Sequence, residues 1–443
     1  MRSWNSISRR EQGNGKEDEE TRTGQESRKE TDPYAHGSLQ NFQVLIDALQ
    51  VNKAGSDVIT TPASRRPEYT VSVFALTALG PKEAEMRIIG VGLHVRQQTV
   101  AMLDTETGEL VEKTLKHEGD QVREFYSALP RPVQVGIEAS GSMNWFLELL
   151  EELGIDHQVG HPAKIRSAEP RKQKYDRRDA LLLLQLQIEN RFPSIWVPSN
   201  ELRDLRTLLR HRHQWVRMRT RVQNTLQAIA VSHGLRRGSS LWSQAGQQAI
   251  SSIPLAPHAT HRRNELQALY GSLNTQIDKL DEQVTDQALQ RSGAKLLLTH
   301  PGVGPVTALA TDVFLGEPAR FGDGKAVVSY IGMIPSEYSS GGRQRLGGLS
   351  KQGNPLLRFL WCEAGRHAVR QDPELKRFYR RKLQQKGLGK ARVAAARKLG
   401  IRLWIMLRDQ IDYQEFCRRG QPRQKSGGAR AGMPEGVHSP AKS

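Results

Sequence analysis

Three carboxylates in the first half of the chain have the residue types and spacing of a divalent-cation site. Glu138 directly follows the apolar run at 133–137, so it stands where a buried strand is predicted to end. Asp176 and Asp179 precede the leucine run at 181–184, and a spacing of three places both on one face of a helix. Side chains at the carboxyl ends of strands emerge into ligand-binding crevices.

Convergent carboxylates suit Mg²⁺, because this hard cation prefers oxygen ligands and keeps several waters. Such an ion polarises a phosphodiester and stabilises the attacking and leaving oxygens. We therefore predict that Glu138, Asp176 and Asp179 form one Mg²⁺ site. The alternative is that the two aspartates only complement the dipole of the helix that they begin.

A glycine-rich turn in the second half is a candidate phosphate contact. The segment 300–308 reads HPGVGPVTA, with Gly302 and Gly304 between apolar stretches, and resembles a helix–hairpin–helix turn. Such turns present backbone N–H groups and a helix N-terminus to a phosphate. A plain connection between two helices is the alternative.

The elements around the carboxylates follow the order of an RNase H-like α/β domain over residues 86–195. Apolar runs at 88–91, 99–103 and 109–115, separated by turn residues, predict a three-stranded antiparallel meander. A helix over 121–129, a strand over 133–138, a helix over 145–153 and a strand over 156–159 are predicted to follow.

Residues 196–292 have the periodicity of a helical arm. Apolar residues from Leu266 to Val284 recur at spacings of three and four, which is typical of an antiparallel coiled coil. Two ordinary amphipathic helices packed on a core are the alternative. Seven arginines in the first helix are interpreted as a face that follows a phosphate backbone: Arg203, Arg206, Arg210, Arg212, Arg217, Arg219 and Arg221.

Composition and charge indicate a polyanionic partner. The formal net charge is +18, and since residues 1–85 hold 11 Lys/Arg and 13 Asp/Glu, the remaining residues carry an excess of +20. Two distant cysteines, no apolar run of membrane-spanning length and no signal peptide predict a soluble, cytoplasmic protein. The extension 1–85 and the basic tail 418–443 are predicted to be disordered.

Taken together, the N-terminal motifs resemble the DEDD domain of the insertion-sequence one-ten (IS110) family of transposases, which is similar to RuvC-type Holliday-junction resolvases. The resemblance rests on the strand at 89–94, on the segment Glu138-Ala-Ser-Gly and on KYDRRDA at 174–180. It makes Glu138, Asp176 and Asp179 the second, third and fourth acids. The first acid falls on Gly92, and Tyr175 stands where the family often has threonine.

The C-terminal block at 293–417 resembles the mostly α-helical transposase domain of the same family. The segment from Tyr330 to Asn354 matches its signature, in which a serine immediately before glycine is the nucleophile; here that serine is Ser340, with Ser339 as the neighbouring alternative. Attack on a DNA phosphate would give a covalent phosphoserine. The basic residues expected around that phosphate are Arg343, Arg345, Lys351 and Arg358.

The helices that follow are rich in basic residues and are predicted to contact a nucleic-acid backbone. These residues are Arg366, Arg370, Lys376, Arg377, Arg380, Arg381, Lys382, Lys386, Lys390, Arg392, Arg397 and Lys398.

The resemblance implies an insertion-sequence transposase that acts on element ends and target DNA, as an oligomer with composite sites, using Mg²⁺ and a structured non-coding RNA. It also implies a prokaryotic protein that is associated with the nucleoid when it is bound to DNA. Two other functions stay open. A metal-dependent junction nuclease would use the carboxylates and water without Ser340. A catalytically defective, nucleic-acid-binding remnant would explain the glycine at position 92.

Overall fold

The computed structural model describes residues 86–169, 175–235 and 238–420, without the side chains of 238 and 239. The extension 1–85 and residues 421–443 of the predicted tail lie outside this range. The chain divides into an N-terminal unit that ends at Val197 and a C-terminal unit that begins at Pro198. Among the described residues, no helix has both the length and the hydrophobicity that a bilayer-spanning helix requires.

A six-stranded sheet in the order β3-β2-β1-β4-β5-β6 forms the centre of the N-terminal unit. Strands β1 to β3 are an antiparallel meander, as predicted, while β4 and β5 run parallel to β1 and β6 closes the edge antiparallel to β5. The strands are β1 (Arg87–Leu93), β2 (Gln97–Asp104), β3 (Leu110–Lys116), β4 (Val133–Glu138), β5 (Asp156–Gly160) and β6 (Ser194–Ile195).

In the described part of this unit, four helices accompany the sheet: α1 (Gln121–Ser127), α2 (Asn144–Glu152), α3 (Pro162–Ala168) and α4 (Asp176–Ile188). Alternation along β1 and β4 divides their residues between the two faces. Ile89 and Ile137 pack in one core cluster with Phe146 of α2. On the opposite face, a Cβ at Gly90 would lie 2.2 Å from the carbonyl oxygen of Ala180 in α4. Glycine at this position therefore lets α4 lie directly on the sheet.

Two long helices open the C-terminal unit, α5 (Asn200–Ser232) and α7 (Pro257–Gln290), with α6 (Gln244–Ser251) between them. Glu201, at the start of α5, pairs with Arg291, directly after the end of α7. Arg212, further along α5, pairs with Asp281, which lies earlier in α7, so the two helices are antiparallel. The predicted antiparallel pair is therefore present. Leu205 and Val284, from one end of the pair, belong to the main core of this unit, so the arm is not separate from the block that follows.

The arginines of α5 do not form one phosphate-binding face. Arg206 donates to the carbonyl oxygens of Val313 and Phe314, and burial lowers its pKa. Arg203 donates to the carbonyl of Pro198, while Arg212 and Arg219 bind partners on α7. Arg210, Arg217 and Arg221 are exposed. The predicted face is thus wrong for four of the seven, because a helix packed on two sides directs many of its long side chains back onto the protein.

The remaining helices surround a dense core. They are α8 (Ser292–Leu298), α9 (Pro305–Leu315), α10 (Gly324–Tyr330), α11 (Pro355–Gln371), α12 (Pro373–Asp409) and α13 (Tyr413–Gly420). Trp361 of α11 is fully buried, and its indole N–H donates to Thr311 of α9 over 2.9 Å. A Cβ at Gly400 would lie 2.1 Å from the Trp361 ring, so this glycine permits close packing of α12.

A buried polar cluster fixes the start of α12. Asp372 caps the helix by accepting from the Leu375 N–H over 2.7 Å, and it also pairs with Arg402 and accepts from the Tyr413 hydroxyl. Burial opposes the charge of Asp372, but the Leu375 N–H and the Arg402 guanidinium outweigh it and lower the pKa of this carboxyl. His300 packs against Tyr413, and burial lowers its pKa to about 4.

The last helix extends three residues into the predicted tail. Glu415 forms ion pairs with Arg418 and Arg419, one turn further along α13. Such i,i+3 and i,i+4 pairs stabilise a helix end, and they explain why α13 continues to Gly420.

Candidate active site

Glu138 ends β4 on the sheet face that α4 covers. Its register partner on β5 is Gly160, and extending the β1–β4 register by one residue places Gly92 on its other side. Paired residues of parallel strands point to the same face. The half-buried carboxylate therefore has a glycine on each neighbouring strand. A Cβ at Gly160 would lie 2.6 Å from Ile165 and 2.9 Å from Phe192, so the space on that side is filled and room remains only on the side of Gly92.

Asp176 and Asp179 both lie in the first turn of α4, as predicted. The backbone oxygen of Asp176 is 3.4 Å from the position of a Cβ at Gly92, so this turn lies at the same end of the sheet as Glu138. The two arginines between the aspartates bind other acids: Arg177 pairs with Glu112, and Arg178 lies 3.6 Å from Glu169.

Gly92 occupies the position at which the DEDD pattern has its first acid. A Cβ there would have contacts of 3.4 to 3.8 Å, and the φ angle of Gly92 is not in the left-handed region. An aspartate is therefore sterically possible at this position. His94 lies beside the volume that a side chain at position 92 would occupy. Its Nε2 atom is 3.7 Å from that Cβ position and 3.2 Å from Oδ1 of Asp176.

The predicted convergence on one ion is only partly realised. The three carboxylates lie at one end of the sheet, yet within residues 86–169, 175–235 and 238–420 no three or more His, Cys, Asp or Glu side chains are grouped closely enough to hold a metal ion. Carboxylate oxygens are nevertheless the donor type that a hard divalent cation prefers. His94 is not among the residues that the sequence predicts for this site, although it stands two residues after Gly92 and so on the same face if the strand continues.

In the C-terminal unit, Ser340 lies at the tip of a β-hairpin formed by β7 (Pro335–Glu337) and β8 (Leu346–Leu349). Ser340 bridges to Arg343 across the two-residue turn Gly341-Gly342, whose φ angles are +57° and +75°. Two positive φ angles are characteristic of a type I′ turn, and glycine adopts them without strain. The serine is exposed and glycine-flanked, as predicted.

The two adjacent serines of this hairpin have different roles. Ser339 donates its hydroxyl to Oε1 of Glu337 over 2.6 Å and accepts from the backbone N–H of Arg345 over 3.0 Å. Within the described part of the chain, the Ser340 hydroxyl forms no hydrogen bond. Ser339 therefore stabilises the hairpin, whereas the hydroxyl of Ser340 is available to a substrate.

The four basic residues predicted around the phosphate occupy different settings. Arg343 and Arg345 are exposed on the hairpin itself, and Lys351 is exposed in the loop after it, with φ at +55°. Arg358 instead donates to the carbonyl oxygens of Ile331 and Gly353, over 2.8 and 3.1 Å. Arg358 therefore stabilises the loop through these two carbonyl groups, which leaves less of its guanidinium free to contact a phosphate.

The glycine-rich turn connects α8 to α9, and its two glycines differ. Gly302 has φ +84°, and a Cβ there would lie 2.4 Å from the backbone nitrogen of Ala368, so it is required for packing against α11. Gly304 is exposed and precedes Pro305 at the start of α9. Gly304 is thus the more exposed of the two predicted phosphate contacts, while Gly302 is half-buried.

The basic residues of α11 and α12 are largely available to a partner. Eight of the twelve are exposed, while Lys382, Arg392, Arg397 and Lys398 are half-buried. Gly387 interrupts α12 with φ +75°, and every residue from 383 to 390 is exposed. This segment presents positive charge to solvent and fits contact with a nucleic-acid backbone.

Comparison with known proteins links both units to one family. A model described as a transposase of the IS116/IS110/IS902 family matches residues 294–380, and an IS110-type DEDD transposase model matches residues 89–233. A "probable family 20 transposase" of Pseudomonas aeruginosa is 28% identical over 344 residues, covering 74% of this chain and 99% of that protein.

Two further relatives come from other bacteria. The transposase for insertion sequence element IS1111A of Coxiella burnetii is 25% identical over 288 residues, covering 63% of this chain and 79% of that protein. A pilin gene-inverting protein of Moraxella bovis is 27% identical over 237 residues, covering 51% and 62% of the two chains.

Proposed function

The chain belongs to the IS110 family of transposases, and from that premise we propose that it cuts and rejoins DNA with Ser340 as the nucleophile. One observation carries this proposal. Ser340 holds an exposed hydroxyl, free of hydrogen bonds within the described residues, at the tip of a glycine turn. Arg343 and Arg345 follow it on the same hairpin, inside the segment that the family model matches.

In the proposed reaction, Oγ of Ser340 attacks a DNA phosphorus. An Oγ–P bond forms, the serine proton leaves, and the bond to one sugar oxygen breaks as that oxygen takes up a proton. Rejoining reverses this step with the hydroxyl of another strand end. The phosphoserine conserves the phosphoester bond, so strand transfer requires no external energy source. The cationic side chains of Arg343 and Arg345 would hold the phosphate by charge-assisted hydrogen bonds.

The N-terminal unit is proposed to be an RNase H-like, RuvC-type domain. Its strand order, with a meander of three strands followed by two strands parallel to β1, supports this assignment. Glu138, Asp176 and Asp179 would hold a divalent cation, taken to be Mg²⁺, at the end of β1 and β4. When bound, such an ion polarises a phosphoryl oxygen and offsets developing negative charge.

A structured RNA and an oligomeric state are also part of the proposal. The exposed basic stretch of α12 around Gly387 would serve phosphate backbones of either nucleic acid. Size-exclusion chromatography with light scattering, with and without element DNA, measures the number of subunits.

A second function is favoured by one specific observation. Position 92 carries no acid, so the carboxylate site has one negative charge fewer than the DEDD pattern requires. A remnant that binds nucleic acid without strand transfer would have this property.

One experiment separates these functions. The purified chain is incubated with labelled element ends and RNA, and protein covalently attached to DNA is measured after denaturation. Ser340→Ala should abolish the adduct and leave DNA binding unchanged, while Ser339→Ala should retain both. Binding without any adduct from the unmodified chain supports the remnant. DNA cleavage that persists in Ser340→Ala supports a junction nuclease that uses water.

A further inference from the structure

One face of the Ser340 hairpin holds four functional side chains. Ser340 bridges to Arg343 across the turn. The backbone N–H of Tyr338 donates to the carbonyl oxygen of Arg345 over 2.9 Å, which makes these two residues the next hydrogen-bonded pair. Opposed residues of antiparallel strands share a face, and so do residues two apart along one strand. We call this the reactive face of the hairpin; it consists of Tyr338, Ser340, Arg343 and Arg345.

The side chains on the opposite face of the hairpin contact one another. The Ser339 hydroxyl donates to Oε1 of Glu337 over 2.6 Å, and the Gln344 amide donates to the same oxygen over 3.4 Å. Leu346, which is paired with Glu337, lies on this face as well. On the reactive face, by contrast, no side chain forms a hydrogen bond, an ion pair or a ring contact within the described residues. Its four side chains are therefore available together to a ligand.

Tyr338 is the member of the reactive face that the proposed chemistry leaves without a role. It is 76% exposed. A Cβ at Gly341 or Gly342 would meet no atom within 4 Å, so the turn borders open space. Because the ring packs against little of the protein, it adds little to the stability of the hairpin. Its planar apolar surface is instead open to a flat partner that can cover it.

We propose that Tyr338 stacks on an unpaired base next to the phosphate that Ser340 attacks, and so positions the reacting DNA strand. The inference rests on the proposed strand transfer and specifies the state of its substrate. Residues two apart on a strand are about 6.8 Å apart, so a phosphate held at Ser340 and Arg343 places an adjacent nucleotide within reach of the ring. Stacking on an aromatic side chain accepts any base, because every base has a π-face.

Stacking on Tyr338 requires a base that has left the duplex stack. Neighbouring bases along one strand are about 3.4 Å apart and cover both faces of each base, which leaves no space for a ring. Enzymes that take a base out of the stack lose pairing energy and regain part of it from aromatic contacts. Arg345, directly opposite Tyr338, supplies a guanidinium for the phosphate of the displaced nucleotide. The reactive face thus fits a strand that is distorted beside the cut and not an intact duplex.

The first test is the rate of adduct formation by the full-length protein on labelled element ends. Tyr338→Ala should lower this rate by about 5- to 150-fold, which is the effect of losing one base–aromatic stack. Tyr338→Phe should stay within about threefold of the unmodified protein, because it keeps the ring and removes only the hydroxyl. Leu346→Ala is the matched control, since Leu346 is exposed and apolar on the opposite face of the same hairpin, and it should leave the rate unchanged.

Three results of this assay overturn the inference. Equal rates for Tyr338→Ala and the unmodified protein show that the ring has no role. A Tyr338→Phe rate as low as that of Tyr338→Ala shows that the hydroxyl acts and the ring does not. An equal loss in Leu346→Ala shows that both substitutions only disturb the hairpin.

The second test pairs the side chain with the base. The covalent adduct locates the cut, and an abasic nucleotide then replaces the base on each side of it in turn. On one of these two substrates the unmodified protein should lose about as much rate as Tyr338→Ala loses on the complete substrate, and Tyr338→Ala should lose no more. Both changes delete the same contact, so their effects do not add. Losses that multiply on both substrates overturn the inference.

Binding measurements separate the inference from the function beneath it. Element-end duplexes with a single mismatched pair, placed at each position in turn, are compared with the fully paired duplex by fluorescence anisotropy. The unmodified protein should prefer a mismatch at one position by at least about fivefold, and Tyr338→Ala should lose that preference. If this pattern appears but no adduct forms, strand transfer by Ser340 fails and the stacking contact stands. If the adduct forms and no preference depends on Tyr338, the stacking inference fails alone.

Discussion

The two candidate centres of this protein are built in opposite ways. Ser340 is presented by a turn whose determinants lie within a few residues, since Gly341 and Gly342 supply the positive φ angles and Ser339 fixes the hairpin. The carboxylate centre combines Glu138, Asp176 and the environment of Gly92, which are separated by tens of residues. A local centre tolerates change elsewhere in the chain, whereas a non-local one depends on each element that contributes to it.

The largest expected effect tests the local centre. Ser340→Ala removes the only atom that can form the proposed phosphoserine, so adduct formation should fall by at least about 10³-fold. DNA affinity should not change, because no charge is lost. Gel-shift titration and denaturing adduct assays measure the two quantities separately. Ser339→Ala should lose only about 0.5–1.5 kcal/mol of hairpin stability, and a larger loss of adduct in this variant than in Ser340→Ala would reassign the nucleophile.

The next effect tests whether the hairpin depends on the core below it. Arg402→Leu leaves Asp372 buried without its cation, which should cost about 3–5 kcal/mol of unfolding free energy. Calorimetric unfolding should show a clear fall in the midpoint of the C-terminal unit. Asp372→Asn in the same background should recover part of the loss. The Ser340 adduct is also assayed in Arg402→Leu at a low temperature at which the C-terminal unit stays folded. Loss of the adduct under these conditions would show that the geometry of the hairpin depends on the core and not only on its own residues.

A smaller effect concerns pH and the turn before α9. Burial lowers the pKa of His300 from 6.5 to about 4, so the folded protein resists protonation that the unfolded chain accepts. The stability contributed by the neutral imidazole is complete above pH 6.5 and is lost as pH falls toward 4, by about 2 kcal/mol at pH 5. Unfolding midpoints at pH 7 and pH 5 should therefore differ less in His300→Gln than in the unmodified protein. An identical pH dependence of the two proteins would contradict this.

The smallest expected effect tests the non-local centre. Gly92→Asp restores one negative charge and one oxygen donor at a position with room for them, so Mg²⁺ affinity should rise on the order of tenfold. Strand transfer at low Mg²⁺ should rise with it, because the chain as it stands is expected to be impaired. Assays of both proteins across Mg²⁺ concentrations measure this. Equal activity at low Mg²⁺ would show that the first acid is dispensable here.

Several features of the fold were predictable because their causes are local. The strand over 133–138 was predicted at its observed bounds, since an apolar run bounded by turn residues specifies it. The helix that begins at Asp176 and the antiparallel pair of α5 and α7 also follow from hydrophobic periodicity. By contrast, Val222 and Leu226 of α5 are buried, although the sequence analysis singled out only the arginines of this helix. Their burial depends on contacts with elements distant in sequence.

The sequence by itself determined the family, the order of the elements and the glycine turn that exposes Ser340, because these depend on motifs, periodicity and local backbone preference. Tertiary structure alone decided which arginines of α5 face the protein, that Arg358 supports a loop, and that His94 meets Asp176 beside Gly92. The physical reason is that sequence spacing specifies the face of a helix or strand, while the partner across that face is chosen by packing. Charge counts cannot distinguish an arginine that binds a phosphate from one that binds a carbonyl of its own chain.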